Sequence, residues 1–246
     1  MKSSTMYSSF AGLALKIVGL IMILSSLLDY LILIIPSPGV NPLQNSEWQL
    51  NLTTQLVDRG VIPMVGIAFL VAGYWISNNS GGSLPERKSS ITDLRFWAFL
   101  LSSLLGLVFL LLVPLHFNNV RIQSNQAIEQ IGEQAQQAET QLEAQLERIN
   151  ALLQNPQQLD AAIEQAQGPQ RQQLEALREQ LGGLDQTALE ERKGQAQTQL
   201  FNRKQEFEQR ARAGALKTGI RIGLSSLLLA IGYSIIGWMG LRNLGS

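Results

Sequence analysis

Hydrophobic positions in this chain gather into four blocks, 10–35, 60–76, 96–115 and 219–241, separated by segments with few strong apolar residues. At about 1.5 Å of rise per residue, each block crosses or nearly crosses a hydrocarbon layer of about 30 Å when helical. The pattern therefore predicts four transmembrane helices. The second block is the shortest, at the lower limit of about 17 residues for a span, and a re-entrant or interfacial segment is the alternative there. Pro63 in its first turn, where a missing N–H costs little, and Tyr74-Trp75 at its end, like an interfacial aromatic belt, favour a span. Lys2 ahead of the first block gives it the start of a secretory signal. Its apolar stretch outruns a signal h-region, however, and reaches Pro36-Ser37-Pro38-Gly39 without a small-x-small cleavage site, which predicts an uncleaved anchor.

Between the third and fourth blocks the pattern changes. Residues 118–218 are built from Gln, Glu, Ala, Leu and Arg, with more than twenty glutamines and with Phe201 and Phe207 as the only aromatic residues. A 3,4 spacing runs through Ile128, Ile131, Ala135, Ala138, Leu142, Gln145, Ile149 and Leu152, an a/d seam of about four heptads in which Gln145 is a polar interruption. The seam stops at Asn155-Pro156, because proline removes a backbone donor and disfavours helix in the residue before it. Breaks at Gly168-Pro169 and Gly182-Gly183 bound two short amphipathic segments, 157–167 and 170–181. A more charged helix then resumes through Leu189, Ala196, Leu200, Phe207 and Leu216, with Lys193, Arg203 and Arg210 at further seam positions. The arms 118–154 and 184–218 are nearly equal in length, each reaching roughly 50 to 55 Å if helical. Equal arms joined by broken tip helices predict an antiparallel hairpin, paired within one chain or bundled with copies of itself. A disordered Gln-rich linker is the bland alternative, and the sustained seam argues against it.

The expected architecture is an all-α integral membrane protein: three spans joined by short loops in 1–117, a coiled-coil hairpin in 118–218, and a fourth span with a short tail in 219–246. Mean hydropathy of +0.08 and zero formal net charge conceal this layout, because the apolar and polar stretches average out. Zero net charge also gives no support to nucleic-acid binding. The chain has no cysteine, which excludes disulfides, thiolate metal sites and cysteine nucleophiles. Lys2, Lys16, Arg87, Lys88, Arg95 and Arg242 flank one side of the spans against Arg59 on the other, which places both termini in the cytoplasm and the hairpin opposite. The basic cluster from Arg203 to Arg221 counts against that orientation, although long translocated segments largely escape the rule.

Candidate chemistry is sparse. His116, the only histidine, ends the third block with no second imidazole or carboxylate cluster nearby in sequence, so an interfacial place is expected rather than a metal or base role. Asp29 is an ionisable residue inside a span, where charge is costly and faces a partner or a cavity. Helix packing or interfacial placement is the plain reading, and a polar path through the membrane the sharper one. Asp58, before the second block, is expected to cap that helix. Gly12, Gly19, Gly66, Gly73, Gly219, Gly223 and Gly232 permit close helix approach, and Gly219-x-x-x-Gly223 is a weak dimerisation signal. Asn51-Leu52-Thr53 and Asn78-Asn79-Ser80 match glycosylation sequons of the kind that arise by chance. Gly81-Gly82-Ser83 reads as a linker, not a phosphate loop. No catalytic, cofactor or metal-binding set emerges.

Glu47-Trp48-Gln49-Leu50, Gln55-Leu56-Val57-Asp58-Arg59-Gly60 and Pro63-Met64-Val65-Gly66, with the four-span plan and the Gln-rich insertion, resemble the HpsJ-like family. That family is cyanobacterial and linked with hormogonium polysaccharide biosynthesis and secretion. The resemblance implies a cyanobacterial membrane protein accessory to exopolysaccharide export or gliding, and brings no catalytic residues; the plasma membrane is the expected location, with the thylakoid as the alternative.

The expected function is therefore a non-enzymatic membrane scaffold, contacting lipids through its spans and protein partners through the coiled coil. Those partners are itself, or polysaccharide-export and envelope proteins. Ile128, Ile131, Leu142, Ile149, Leu152, Leu200 and Phe207 would carry assembly. A transport or signalling component, in which the hairpin relays a signal to the spans, is the alternative. A transferase acting on lipid-linked sugar would need an interfacial acidic or basic cluster that the spans do not supply.

Overall fold

In the computed structural model, which describes residues 2–79, 93–154, 156–181 and 186–245, the chain is helical throughout its elements. These are α1 (Lys2–Ile34), α2 (Ser46–Arg59), α3 (Val61–Asn79), α4 (Leu94–Gln154), α5 (Pro156–Gln165), α6 (Pro169–Leu181) and α7 (Gln186–Gly245). Four helical stretches are long and apolar enough to cross a membrane: Tyr7–Ile34, Ser46–Asn78, Leu94–Ala151 and Thr187–Leu244. The chain forms two compact units, Met1–Gln123 with Gly214–Ser246, and Ser124–Ala213. The breaks at Gly81-Gly82-Ser83 and Gly182-Gly183, the basic residues Arg87 and Lys88, and the end of the sequon at Ser80 lie outside the described residues.

The first unit packs through small residues. A Cβ built on Gly19 would stand 2.5 Å from the Gly66 carbonyl oxygen, one on Gly66 2.9 Å from that of Gly19, and one on Gly73 2.7 Å from that of Gly12. Such approach brings two helix backbones into van der Waals contact, which is how helices gain cohesion where lipid removes the hydrophobic drive. The same device joins α4 to α7: Ser102 Oγ donates to the Tyr233 carbonyl at 2.8 Å and Ser226 Oγ to that of Phe109 at 2.7 Å. Residue numbers rise along α4 as they fall along α7. Ile67, Leu70, Phe109, Ile222 and Tyr233 are buried at the centre, while Leu24, Leu28, Leu31, Leu104 and Leu228 lie exposed on the outside, as lipid-facing side chains would.

Gly219 and Gly223 do not present a free small-residue face. A Cβ on Gly223 would meet the Phe117 ring at 2.6 Å and one on Gly219 at 3.5 Å, so the pair receives an aromatic side chain of the same unit. Pro114 lies inside α4 without ending it.

In the second unit, α4 keeps one half-buried stripe, Ile128, Ile131, Ala135, Ala138, Leu142, Leu146 and Ile149. Gln145 is exposed and Leu146 stands where the heptad count put Gln145. The stripe on α7 runs Leu189, Lys193, Ala196, Leu200, Lys204, Glu208 and Ala211. Three clefts are each lined by both arms. One lies among Ala138, Leu142, Ala196 and Leu200, one among Gly132, Ala135, Leu200 and Phe201, and one among Leu146, Asn150, Leu189 and Lys193. Between α5 and α6, Gly168 takes φ +63, the left-handed conformation that favours glycine just past a helix end, and Pro169 opens α6. Ile163 is buried and Asp160 pairs with Arg178 at 3.3 Å.

Candidate functional site

The segment between the first two blocks, expected as a loop, is the helix α2. Asn45 Oδ1 accepts the Trp48 N–H at 2.7 Å, and Glu47 in the first turn and Arg59 in the last complement the helix dipole. The capping sequence Asn45-x-x-Trp48 was the signal available for it. Thr53, Leu56 and Val57 are its buried face. Only Gly60, itself in right-handed helical conformation (φ -62, ψ -22), separates α2 from α3, and Ser46–Asn78 is one helical stretch long enough to span.

Polar side chains inside the first unit converge on α2. Thr53 Oγ1 lies 3.0 Å from both the Leu50 carbonyl and His116 Nδ1. His116 is fully buried, not interfacial in the sense of facing water or headgroups. When the hydroxyl proton serves Leu50, the imidazole donates from Nδ1. Nε2 is then buried without a hydrogen-bond partner among the described residues. One turn on, Asn119 Nδ2 donates to Gln49 Oε1 at 3.0 Å, and Gln49 Nε2 donates to the Pro42 carbonyl at 2.8 Å. In the Asn51-Leu52-Thr53 match Thr53 is buried, whereas Asn51 is exposed and its Oδ1 accepts from Gln55 Nε2 at 3.0 Å.

Asp58 does not cap the second span. It lies in the last turn of α2, the preceding helix having taken up the position expected of a free loop, and its carboxylate receives Arg221 Nη2 at 3.2 Å. The next residue, Arg59, reaches Asp29 at 3.0 Å. Both pairs are roughly half exposed. Asp29 thus faces an arginine of α2. Gly60 completes the arrangement: its carbonyl accepts the Tyr233 hydroxyl at 2.6 Å, and Tyr233 stacks on Phe109 with ring centroids 5.5 Å apart. A Cβ at Gly60 would stand 2.5 Å from Leu229 and 2.7 Å from Phe109. α2 and Gly60 are therefore tied to α1 by one ion pair, to α4 by two side-chain hydrogen bonds, and to α7 by an ion pair and a tyrosine hydroxyl.

A second charged level lies toward the other end of the spans. Lys16 Nζ sits 4.3 Å and the Arg95 guanidinium 5.1 Å from the Tyr74 ring centre, while Asp93 holds Arg95 at 2.6 Å. Arg95 and His116 are separated by roughly 31 Å of helix, about the thickness of a hydrocarbon core.

Of the residues expected to carry assembly, Ile128, Ile131, Leu142, Ile149 and Leu200 lie on the half-buried stripes. The Leu152 side chain lies outside the described ones. Phe207 is 53% exposed and Leu216 64% exposed. From Leu200 the inner stripe advances by four residues twice, to Lys204 and Glu208, because a helix of 3.6 residues per turn drifts from a strict heptad. Arg203 and Arg210 are likewise exposed, while Lys193 is half-buried. Among the described residues no three of His, Cys, Asp and Glu come together as metal ligands.

A family model described as HpsJ-like protein matches residues 10–242, nearly the whole chain. No curated protein and no solved structure matches it.

Proposed function

Because the chain belongs to the HpsJ-like family, we propose that it is a non-enzymatic membrane scaffold serving polysaccharide biosynthesis or secretion. On this reading the first unit fixes the protein in the bilayer, while residues 118–218 form an antiparallel coiled-coil hairpin that offers a helical surface to export or envelope proteins. Both termini are then cytoplasmic and the hairpin stands on the far side, as the basic residues flanking the spans favour. One observation carries the reading. Ala138 and Leu142 share a cleft with Ala196 and Leu200, while Leu146, further along α4, shares one with Leu189, earlier in α7. Such opposed numbering supports a hairpin register. The polysaccharide assignment rests on the family resemblance alone.

Proximity labelling in intact cells from a tag placed between Gly182 and Gly183 tests the assignment. Labelling of glycan-export or envelope proteins, with a tip accessible from outside the cytoplasm, is the expected result. A cytoplasmic tip beside signalling or cytoskeletal proteins rejects the export role. Leu142→Pro should dissolve the first arm, and partner capture unchanged in that variant would reject the coiled coil as the binding surface.

A relay is the second reading, favoured by the adjacent pairs Arg221–Asp58 and Arg59–Asp29. A shift of α7 would pull on α2 and through it on α1. Asp29→Asn then changes signalling or flux while insertion is preserved; equal activity of both proteins removes this reading.

A further inference from the structure

The charges of the second unit are sorted by side. On α4, Glu129, Glu133, Glu139, Glu143 and Glu147 are all exposed, and at 100° per residue they fall within about 120° of arc. On α7, Arg192, Arg203 and Arg210 are exposed and fall within about 20° of one another. The two faces lie on opposite sides of the seam. Glu139 lines a cleft with Phe201 and Lys204, whereas Arg203 lines a different one with Gln141 and Gln145. Gln141 stands two residues, about 200°, from Glu139. The acidic side is not purely acidic, since Lys193 and Lys204 lean into its clefts, nor is the basic side purely basic, since Glu206 pairs with Arg210.

We infer that this surface takes a second copy of the chain, the acidic side of one hairpin against the basic side of the next. The inference rests on the hairpin reading above. Its register carries the argument. With Ala138 and Leu142 level with Leu200 and Ala196, and Leu146 level with Leu189, Arg210 stands within about one helical turn of the height of Glu129, Arg203 of Glu133, and Arg192 of Glu143 and Glu147. A neighbouring copy in the same orientation, displaced across the hairpin axis, keeps these heights. Three rungs of opposite charge then meet without any vertical shift. A two-fold contact brings like sides together, acid on acid, and is disfavoured. The association is therefore head to tail, giving rows or a closed ring. The clefts lined by Ala, Gln and Gly between the arms leave room for the long side chains of the neighbour.

The test uses two variants of the full chain in membranes. One carries Glu129→Lys, Glu133→Lys and Glu143→Lys; the other carries Arg192→Glu, Arg203→Glu and Arg210→Glu. Co-isolation of differently tagged copies should occur for the natural sequence, be lost for either variant with itself, and return when the two variants are expressed together, because reversal makes them complementary. Self-association that persists in either variant, a natural chain that does not co-isolate with itself, or no recovery in the mixture overturns the inference. Leu142→Cys with Leu200→Cys, bridged by a short bismaleimide, reads the hairpin separately, since the chain has no cysteine of its own. An intrachain bridge in both variants assigns lost association to the charged sides. Failure to bridge in the natural background rejects the hairpin, and this interface with it.

Discussion

Thr53 and His116, 63 positions apart in the chain, meet in a buried contact of 3.0 Å that ties α2 to α4. The pair is worth more broken than whole. Removing one partner strands the other without water, at about 1 to 3 kcal/mol, whereas a satisfied hydrogen bond contributes only about 1 kcal/mol net. Thr53→Val should therefore destabilise the first unit by about 1 to 3 kcal/mol, while adding His116→Leu should recover part of that loss. Thermal unfolding of the single and double variants in detergent checks it. Additive losses would show that the two residues do not act together.

The contact between α1 and α3 leaves no room for a side chain. A Cβ on Gly19 meets the backbone at the Gly66 oxygen and, at 2.7 Å, at the Leu70 nitrogen, neither of which moves without moving α3. Gly19→Val should cost about 1 to 3 kcal/mol by overpacking. Gly132→Ala is the control, since nothing lies within 4 Å of its Cβ and alanine in an exposed helix is favoured over glycine by up to about 1 kcal/mol. Unfolding midpoints should move in opposite directions, down for Gly19→Val and up for Gly132→Ala.

Much of this architecture follows from patterning, and the misses have physical causes. Four apolar blocks, the breaks at proline and glycine, and the 3,4 spacing through Leu142 are local signals, and local signals set helices. The burial of His116 is not legible in the sequence, because it depends on α2, whose weakly apolar sequence forms a helix alongside α4 and covers a position that hydropathy alone puts at the interface. Asp58 was misassigned for the same reason. Arg221 as its partner, 163 positions away, has no sequence signature without the fold. In the second arm the sparse apolar residues permitted more than one phase, and the heptad count chose Phe207 where the helix turns Glu208 inward.

The ion pairs at the end of α2 should matter little for stability. Both are partly exposed, and such pairs are worth about 0 to 1 kcal/mol. Asp58→Asn should shift the unfolding midpoint slightly, less at high salt. Asp58→Arg with Arg221→Asp should restore whatever Asp58→Arg alone loses. A cysteine cross-link between α2 and α7 gives the sharper readout. Its yield should fall with Asp58→Arg and recover in the exchanged pair, whereas a yield indifferent to charge would mean that Thr53, Gln49 and Gly60 hold α2 by themselves.

The two phases of the first arm make opposite predictions at neighbouring positions. If Gln145 occupied a seam layer, replacing it with leucine would add a buried apolar side chain and raise stability. With Leu146 in that layer and Gln145 exposed, Gln145→Leu should change the stability of the second unit by less than about 0.5 kcal/mol, as surface substitutions do. Leu146→Gln should instead lower it by about 1 to 3 kcal/mol, through lost apolar burial and a polar group in the seam. Phe207→Ala belongs with the first class and Leu142→Ala with the second. Leu142 is half-buried between the arms, so its loss falls at or below the 2 to 5 kcal/mol measured for fully buried leucines. A Gln145→Leu gain matching the Leu146→Gln loss would place the seam one residue earlier, and with it the acidic and basic sides of the proposed self-association.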